Sequence, residues 1–314
     1  MNAPEPRLEI VATGLLFPEG PVAFDDGSLA FCEIAAGRVS RLSADGVVSV
    51  IADVGGGPHV LAFGPDGAFY VFNTGCLRWA DSYAAGAWRR PLHGTPASYR
   101  GGSIQRIDTA TGTVTTLYTH CNDRSLCSPN DIVFDRAGGF YFSDMGKVRE
   151  HDRDIGNVFY ALPDGSRIVE VVHNIMQPNG VGLSPDQSIL YVAETETSRL
   201  WSFRILEPGV VEQLPFPSPH GGRFVCGPSG YQRFDSLAVQ ADGGICVATL
   251  VTGQITVISP DGRVVREVPM PDAQTTNLCF GGSDLRTVWV TLSYTGRIAR
   301  TEWSTPGLRL NMQR

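Results

Sequence analysis

Pro129-Asn130-Asp131-Ile132-Val133-Phe134-Asp135-Arg136-Ala137-Gly138-Gly139-Phe140-Tyr141-Phe142-Ser143-Asp144 reads as a loop end, an apolar run, a Gly-bearing turn and a second apolar run. Two β-rich runs joined by such a turn signal a hairpin. The same grammar returns as Val22–Ile34, Leu61–Asn73, Val181–Glu194, Leu237–Thr249 and Leu278–Thr291. A second hairpin signal follows each copy. These are Gly37–Ala52, Ser103–Tyr118, Asn157–Val172, Arg199–Leu214, Gln254–Val268 and Gly296–Leu310, the last around Pro306-Gly307. Each repeat therefore predicts four antiparallel strands. No stretch sustains a helical period of apolar residues. Six such units predict an all-β fold, a six-bladed β-propeller, as one domain over residues 1–314. Leu8–Ala12 has no place in the first repeat and is expected to join the last blade and fasten the ring.

Working outward from Asn130, a shared offset emerges. Glu19, Asn130 and Asp235 each stand eight residues before a turn glycine, at Gly27, Gly138 and Gly243; Asn179 has Gln187 at that offset. Equal offsets put these side chains at equivalent places, at the head of the innermost strand and facing the axis. His59 and Asn277 hold the same position in the other two blades. Two carboxylates and two amides offer oxygen alone, which suits a hard divalent cation such as Ca²⁺, Mg²⁺ or Mn²⁺; zinc more often recruits His or Cys. Calcium is the first expectation, with Mg²⁺, Mn²⁺ or Zn²⁺ as alternatives. Taken singly, each residue has a plainer reading, since Asn and Asp also build turns. His59 lines the pocket or caps its loop. Trp79, Tyr83, Trp88 and Tyr99, in the long loop from about Thr74 to Gly102, form a substrate wall or pack beneath that loop. A second long connection, Pro215–Arg233, carries His220, Phe224 and Tyr231, and both are expected to overhang the axis.

The bulk composition narrows the partners. A formal charge of -7 opposes nucleic-acid binding, which needs clustered Lys and Arg. The single lysine, Lys147, reads as composition rather than chemistry. No apolar run approaches the roughly 18 residues of a membrane span. The start shows no secretory pattern. The seven cysteines lack metal-type spacing, and only Cys121 and Cys127 share a loop that could pair them. These features lead us to expect a cytoplasmic protein, monomer or homodimer, acting on a small molecule.

Pro-Glu-Gly-Pro at 18–21, Pro-Asn-Asp at 129–131, Pro-Asn-Gly at 178–180 and the run Thr276–Asp284 leading into Thr287–Thr291 resemble the senescence-marker-protein/gluconolactonase/luciferin-regenerating-enzyme superfamily. The resemblance implies an axial divalent metal held by Glu19, Asn179 and Asp235, with Asn130 on metal, water or substrate. Diisopropyl fluorophosphatase shares this Glu-Asn-Asn-Asp set. The implied activity is lactone hydrolysis by metal-polarised attack of water, with Asp235 as general base or nucleophile. Ser128 departs from the pattern, because sugar lactonases often carry Arg there. That implies a less polar lactone than gluconolactone, with His59, Trp79, Tyr83, Trp88, Ser128 and Asn277 lining the pocket. The alternatives are a metal-assisted lyase or isomerase on the same scaffold, or a non-catalytic binding propeller.

Overall fold

The computed structural model describes residues 7–313 apart from 85–86 and 90–93, with the backbone alone for 82–84 and 87–89. Six antiparallel sheets stand around one axis. Their innermost strands are Pro18–Ala23, Pro58–Phe63, Pro129–Phe134, Pro178–Leu183, Arg233–Val239 and Thr275–Gly281. Each packs against its two neighbours, and the sixth packs against the first, so the ring is closed. The fold is the expected six-bladed propeller.

The core lies between blades rather than within them. Aromatic residues of blades 2 and 3 interlock, with Phe72 and Phe142 ring centroids 5.2 Å apart and Phe142 stacked on Phe159 at 5.2 Å. Burying each such ring stabilises the fold by roughly 1.5–3 kcal/mol, and tilted pairs add to it. Small residues set the spacing at the axis. Gly20, at φ +54, faces the Val60 backbone, where an added Cβ would fall 2.5 Å from its Cα. Gly180 faces blade 5, where a Cβ would fall 2.6 Å from the Leu237 nitrogen.

Glu9–Ala12 pairs with Arg297–Glu302 as the outer strand of blade 6, in the register Glu9↔Arg300 and Ala12↔Ile298. The expected fastening strand is thus in place. It changes the end of the chain. The sixth repeat supplies three strands rather than four, because the N-terminal strand already occupies the edge that a strand after Pro306-Gly307 would have used. The chain instead crosses the base of the ring. Leu308 N donates to Val239 O at 2.8 Å, Asn311 Nδ2 to Phe134 O at 2.7 Å and Gln313 Nε2 to Phe280 O at 3.0 Å. This tail caps an apolar axial cavity of ≈ 300 Å³ lined by Val22, Leu61, Ile132, Val181, Leu237 and Leu278.

Blade 4 also departs from its expected course. The third strand, Arg199–Glu207, is partnered over its far end by Val210–Val211 and over its near end by Arg223–Cys226. Part of the Pro215–Arg233 connection is therefore an edge strand away from the axis. His220 packs beneath it against Trp201, with centroids 4.4 Å apart. Phe224 and Tyr231 are exposed. All seven cysteines are free, so Cys121 and Cys127 do not pair. No helix among the described residues is long and apolar enough to cross a membrane.

Deleting residues 304–314 uncovers the base of the cavity and removes Leu308 and Met312 from its lining. We expect a loss of about 2–4 kcal/mol of stability, read from denaturant unfolding. An unchanged midpoint would show that the tail does not hold the blades.

Candidate functional site

A β-bulge interrupts the pairing near the head of every innermost strand. The register shifts fall at Glu19/Val22, Pro58/Val60, Pro129/Ile132, Pro178/Val181, Phe234/Leu237 and Thr275/Asn277. A bulge inserts an extra residue and re-aims the side chains around it. Six bulges at one level put six strand heads into one cluster. Glu19 and Asn130 have no solvent exposure, Asn179 has 2 %, and Asp235 and Asn277 have 5 %.

The hydrogen bonds tie this cluster across blades. Asn277 Nδ2 donates to Glu19 Oε2 at 2.8 Å, and Gly20 N donates to the same oxygen at 2.5 Å. Asn179 Nδ2 donates to Asp235 Oδ1 at 2.6 Å, and Ser236 Oγ donates to Asn179 Oδ1 at 3.4 Å. Asn130 Nδ2 lies 3.4 Å from His59 Nε2 and 2.6 Å from Met145 Sδ. Burial, reinforced by the charge of Lys147, pulls His59 down to about 3. The ring is therefore neutral, and its Nε2 is free to accept from Asn130. Two oxygens remain with no partner, Glu19 Oε1 and Asn130 Oδ1. A buried acceptor left unsatisfied costs roughly 1–3 kcal/mol.

The carboxylates here disfavour their own charge. Burial raises Glu19 to about 7, although hydrogen bonds from Asn277 and Gly20 oppose the rise. Burial pushes Asp235 well above the usual carboxylate range, and the charge of Glu19 pushes it further. Asp131 rises to about 8, again through burial, with Glu19 adding to it. Asp131 accepts from Ile132 N at 2.8 Å and Val181 N at 3.3 Å, tying blade 3 to blade 4 below the heads. Among the described residues no three His, Cys, Asp or Glu side chains cluster as a metal site. The axial group is instead two carboxylates with two amides. That donor set fits a hard divalent cation, which would take the unpaired oxygens and cancel the opposed charges. Half a turn of the Asn179 amide would present its oxygen in place of its nitrogen.

The remaining expected pocket residues are unevenly placed. His59 and Asn277 stand in the cluster. Ser128 is buried, with its N–H bonded to Asp144 Oδ1 at 2.6 Å. Asp144 also accepts from Cys127 N and Gly146 N, so its carboxylate fastens the loop. Trp79 packs on Phe17, centroids 4.9 Å apart, at the entry to the first innermost strand. Tyr83 and Trp88 oppose each other in the short pair Ser82–Ala84 and Ala87–Arg89. Their side chains lie outside the described residues. Two neighbours were missed from the sequence. Met145 Sδ touches the amides of both Asn130 and Asn179, the latter at 3.9 Å. Lys147, read as mere composition, is 4 % exposed with its Nζ over the Tyr99 ring at 4.9 Å. Burial draws its ammonium down to about 8. Its being the chain's one lysine was the available signal.

The fold and its polar hub define a six-bladed propeller with an oxygen-rich axial site. Residues 17–294 match the SMP-30/Gluconolactonase/LRE-like region, and the chain belongs to that family. Lactonase drp35 of Staphylococcus haemolyticus is 28 % identical over 269 residues, 85 % of this chain and 73 % of the relative. The gluconolactonase XC5397 from Xanthomonas campestris superposes with a TM-score of 0.73 at 21 % identity, covering 96 % of this chain and 90 % of that one. Regucalcin from Agrobacterium tumefaciens, a calcium-binding protein, superposes with a TM-score of 0.72 at 19 % identity, covering 98 % and 97 %. These two structures are similar in fold.

The raised carboxyls set a pH dependence. Glu19 moves from an ordinary 4.5 to about 7, and Asp131 from 3.8 to about 8. Each keeps its proton in the cation-free fold where the unfolded chain has lost it. Their contribution to stability is full below the ordinary values and drains as pH rises through the folded ones. With chelator present, the thermal midpoint should fall as pH climbs from 4.5 toward 8. A midpoint that rises across that window contradicts the assignment.

Proposed function

We propose that this chain is a divalent-metal-dependent hydrolase that opens lactone rings. The observation that carries the reading is the pair of unpaired buried oxygens, Glu19 Oε1 and Asn130 Oδ1, in a cluster with Asn179 and Asp235. The likeness to lactonase drp35 over most of the chain supports the reaction class. The calcium-binding neighbour supports calcium as the ion. The seven free thiols favour a reducing compartment such as the cytoplasm.

Glu19, Asn130, Asn179 and Asp235 would hold the cation. When bound, it would supply Lewis-acid polarisation of the lactone carbonyl. The protein's own groups do the rest. Asp235 would accept the proton of the attacking water at a carboxylate oxygen that the cation leaves free. Asn130 orients the carbonyl or the water, and its amide is steadied by the neutral His59 ring. Asn277 fixes the Glu19 carboxylate through its 2.8 Å bond. Trp79, Met145 and Tyr99 would give the pocket apolar or aromatic walls, and Ser128 brings no guanidinium. This favours a ring less hydroxylated than gluconolactone.

Acid release from a lactone panel should stop with chelator and return as metals are added back singly. Asp235→Asn should lower kcat by about 10²–10⁴-fold with unchanged circular dichroism. Full activity in that variant would remove Asp235 from the chemistry. Asn277→Ala should weaken metal affinity about 10–100-fold in calorimetry; equal affinity would sever its link to Glu19.

A further inference from the structure

Lys147 presents an anomaly that the hydrolytic reading leaves unused. Its side chain is 4 % exposed, and its Nζ has no hydrogen-bond partner. A buried ammonium is costly unless paired. The nearby carboxylates are already engaged. Asp144 receives three backbone N–H groups, from Cys127, Ser128 and Gly146. Asp154 takes the Arg149 guanidinium at 2.7 and 3.0 Å and the Lys147 backbone N–H at 3.1 Å. The Tyr99 face, 4.9 Å from Nζ, offers a cation only partial compensation. The charges of Asp144 and Asp154 act on the ammonium from a distance, but no acceptor among the described residues is hydrogen-bonded to it.

Its position ties it to the hub. Lys147 follows two residues after Met145, whose sulfur touches both Asn130 and Asn179. Its charge also reaches His59, the neighbour of Asn130. A positive charge therefore acts on the His59–Asn130 pair, the groups that would orient a substrate carbonyl.

We propose that Lys147 is a substrate-recognition residue that pairs with a carboxylate carried on the ring of the lactone. The preferred substrates are then carboxylated lactones with an otherwise apolar ring. This substrate class rests on the lactonase reading, but the anion site itself does not. The ammonium would donate to the carboxylate, a charge-assisted bond of the kind that fixes orientation in an apolar pocket.

The test uses the metal-loaded protein and an unreactive pair of probes: a cyclic ketone bearing a carboxylate, and the same ketone bearing a carboxamide. Wild type should bind the acid roughly ten- to a hundredfold more tightly than the amide, the effect of one charge-assisted hydrogen bond. Lys147→Met should erase that preference, and Lys147→Arg should retain most of it. Equal binding of the two probes by wild type overturns the proposal. So does a preference that survives in Lys147→Met, since the carboxylate would then sit on the cation. Should Lys147→Met fail to fold, Lys147→Gln takes its place, and the wild-type comparison alone can still refute. A parallel kcat/KM comparison of matched acid and amide lactones keeps the two readings apart. If the Lys147-dependent preference appears in binding but no lactone is opened, the hydrolase reading falls and the anion site stands.

Discussion

The seam where the ring closes depends on one contact, between the first innermost strand and the last. Asn277 and Glu19 meet there across 258 residues of sequence, 2.8 Å apart. Just above them Ser293 Oγ donates to Pro18 O at 2.6 Å. The bond that orients the hub carboxylate is therefore also part of the joint between the two ends of the chain. Outside it, the N-terminal strand completes blade 6. Beneath it, the C-terminal tail crosses to blades 3, 5 and 6. A propeller has no centre until it is closed, and here the act of closing also assembles the site.

That arrangement sets two demands against each other. Tight convergence buries Glu19, Asp131 and Asp235 together and disfavours their ionised forms. Keeping Glu19 charged in the cation-free fold costs on the order of 3 kcal/mol. The interleaved aromatic layers between blades outweigh that, because they contribute many buried rings against a few strained charges. Rigidity from packing holds acidic oxygens closer than they would choose, a common way for a scaffold to tune a site. Lys147 extends the same logic to a cation, buried without a hydrogen-bond partner.

Much of this was legible beforehand. Recurrent Asp-Gly turns between alternating apolar runs announced the blades, because turn chemistry and period-two patterning are local. The offset from Glu19 to Gly27, Asn130 to Gly138 and Asp235 to Gly243 announced equivalent strand heads. The leftover Leu8–Ala12 announced the fastening strand. Other features stayed hidden. The six bulges are irregularities in pairing between strands, and no residue type marks them. The split edge of blade 4 and the diverted tail arise from competition for one sheet edge, which only the assembled sheet can settle. Lys147 looked like an accident of composition, since burial and the lack of a hydrogen-bond partner belong to its neighbours.

By itself the sequence determined the element type, the number of repeats and the oxygen donors at their heads, since each follows from residues adjacent along the chain. Tertiary structure alone decided which oxygens go unpaired, how far each carboxyl is raised, and that a buried ammonium without a hydrogen-bond partner acts on His59. These are properties of distance and burial between blades, set by groups as far apart in the chain as Glu19 and Asn277.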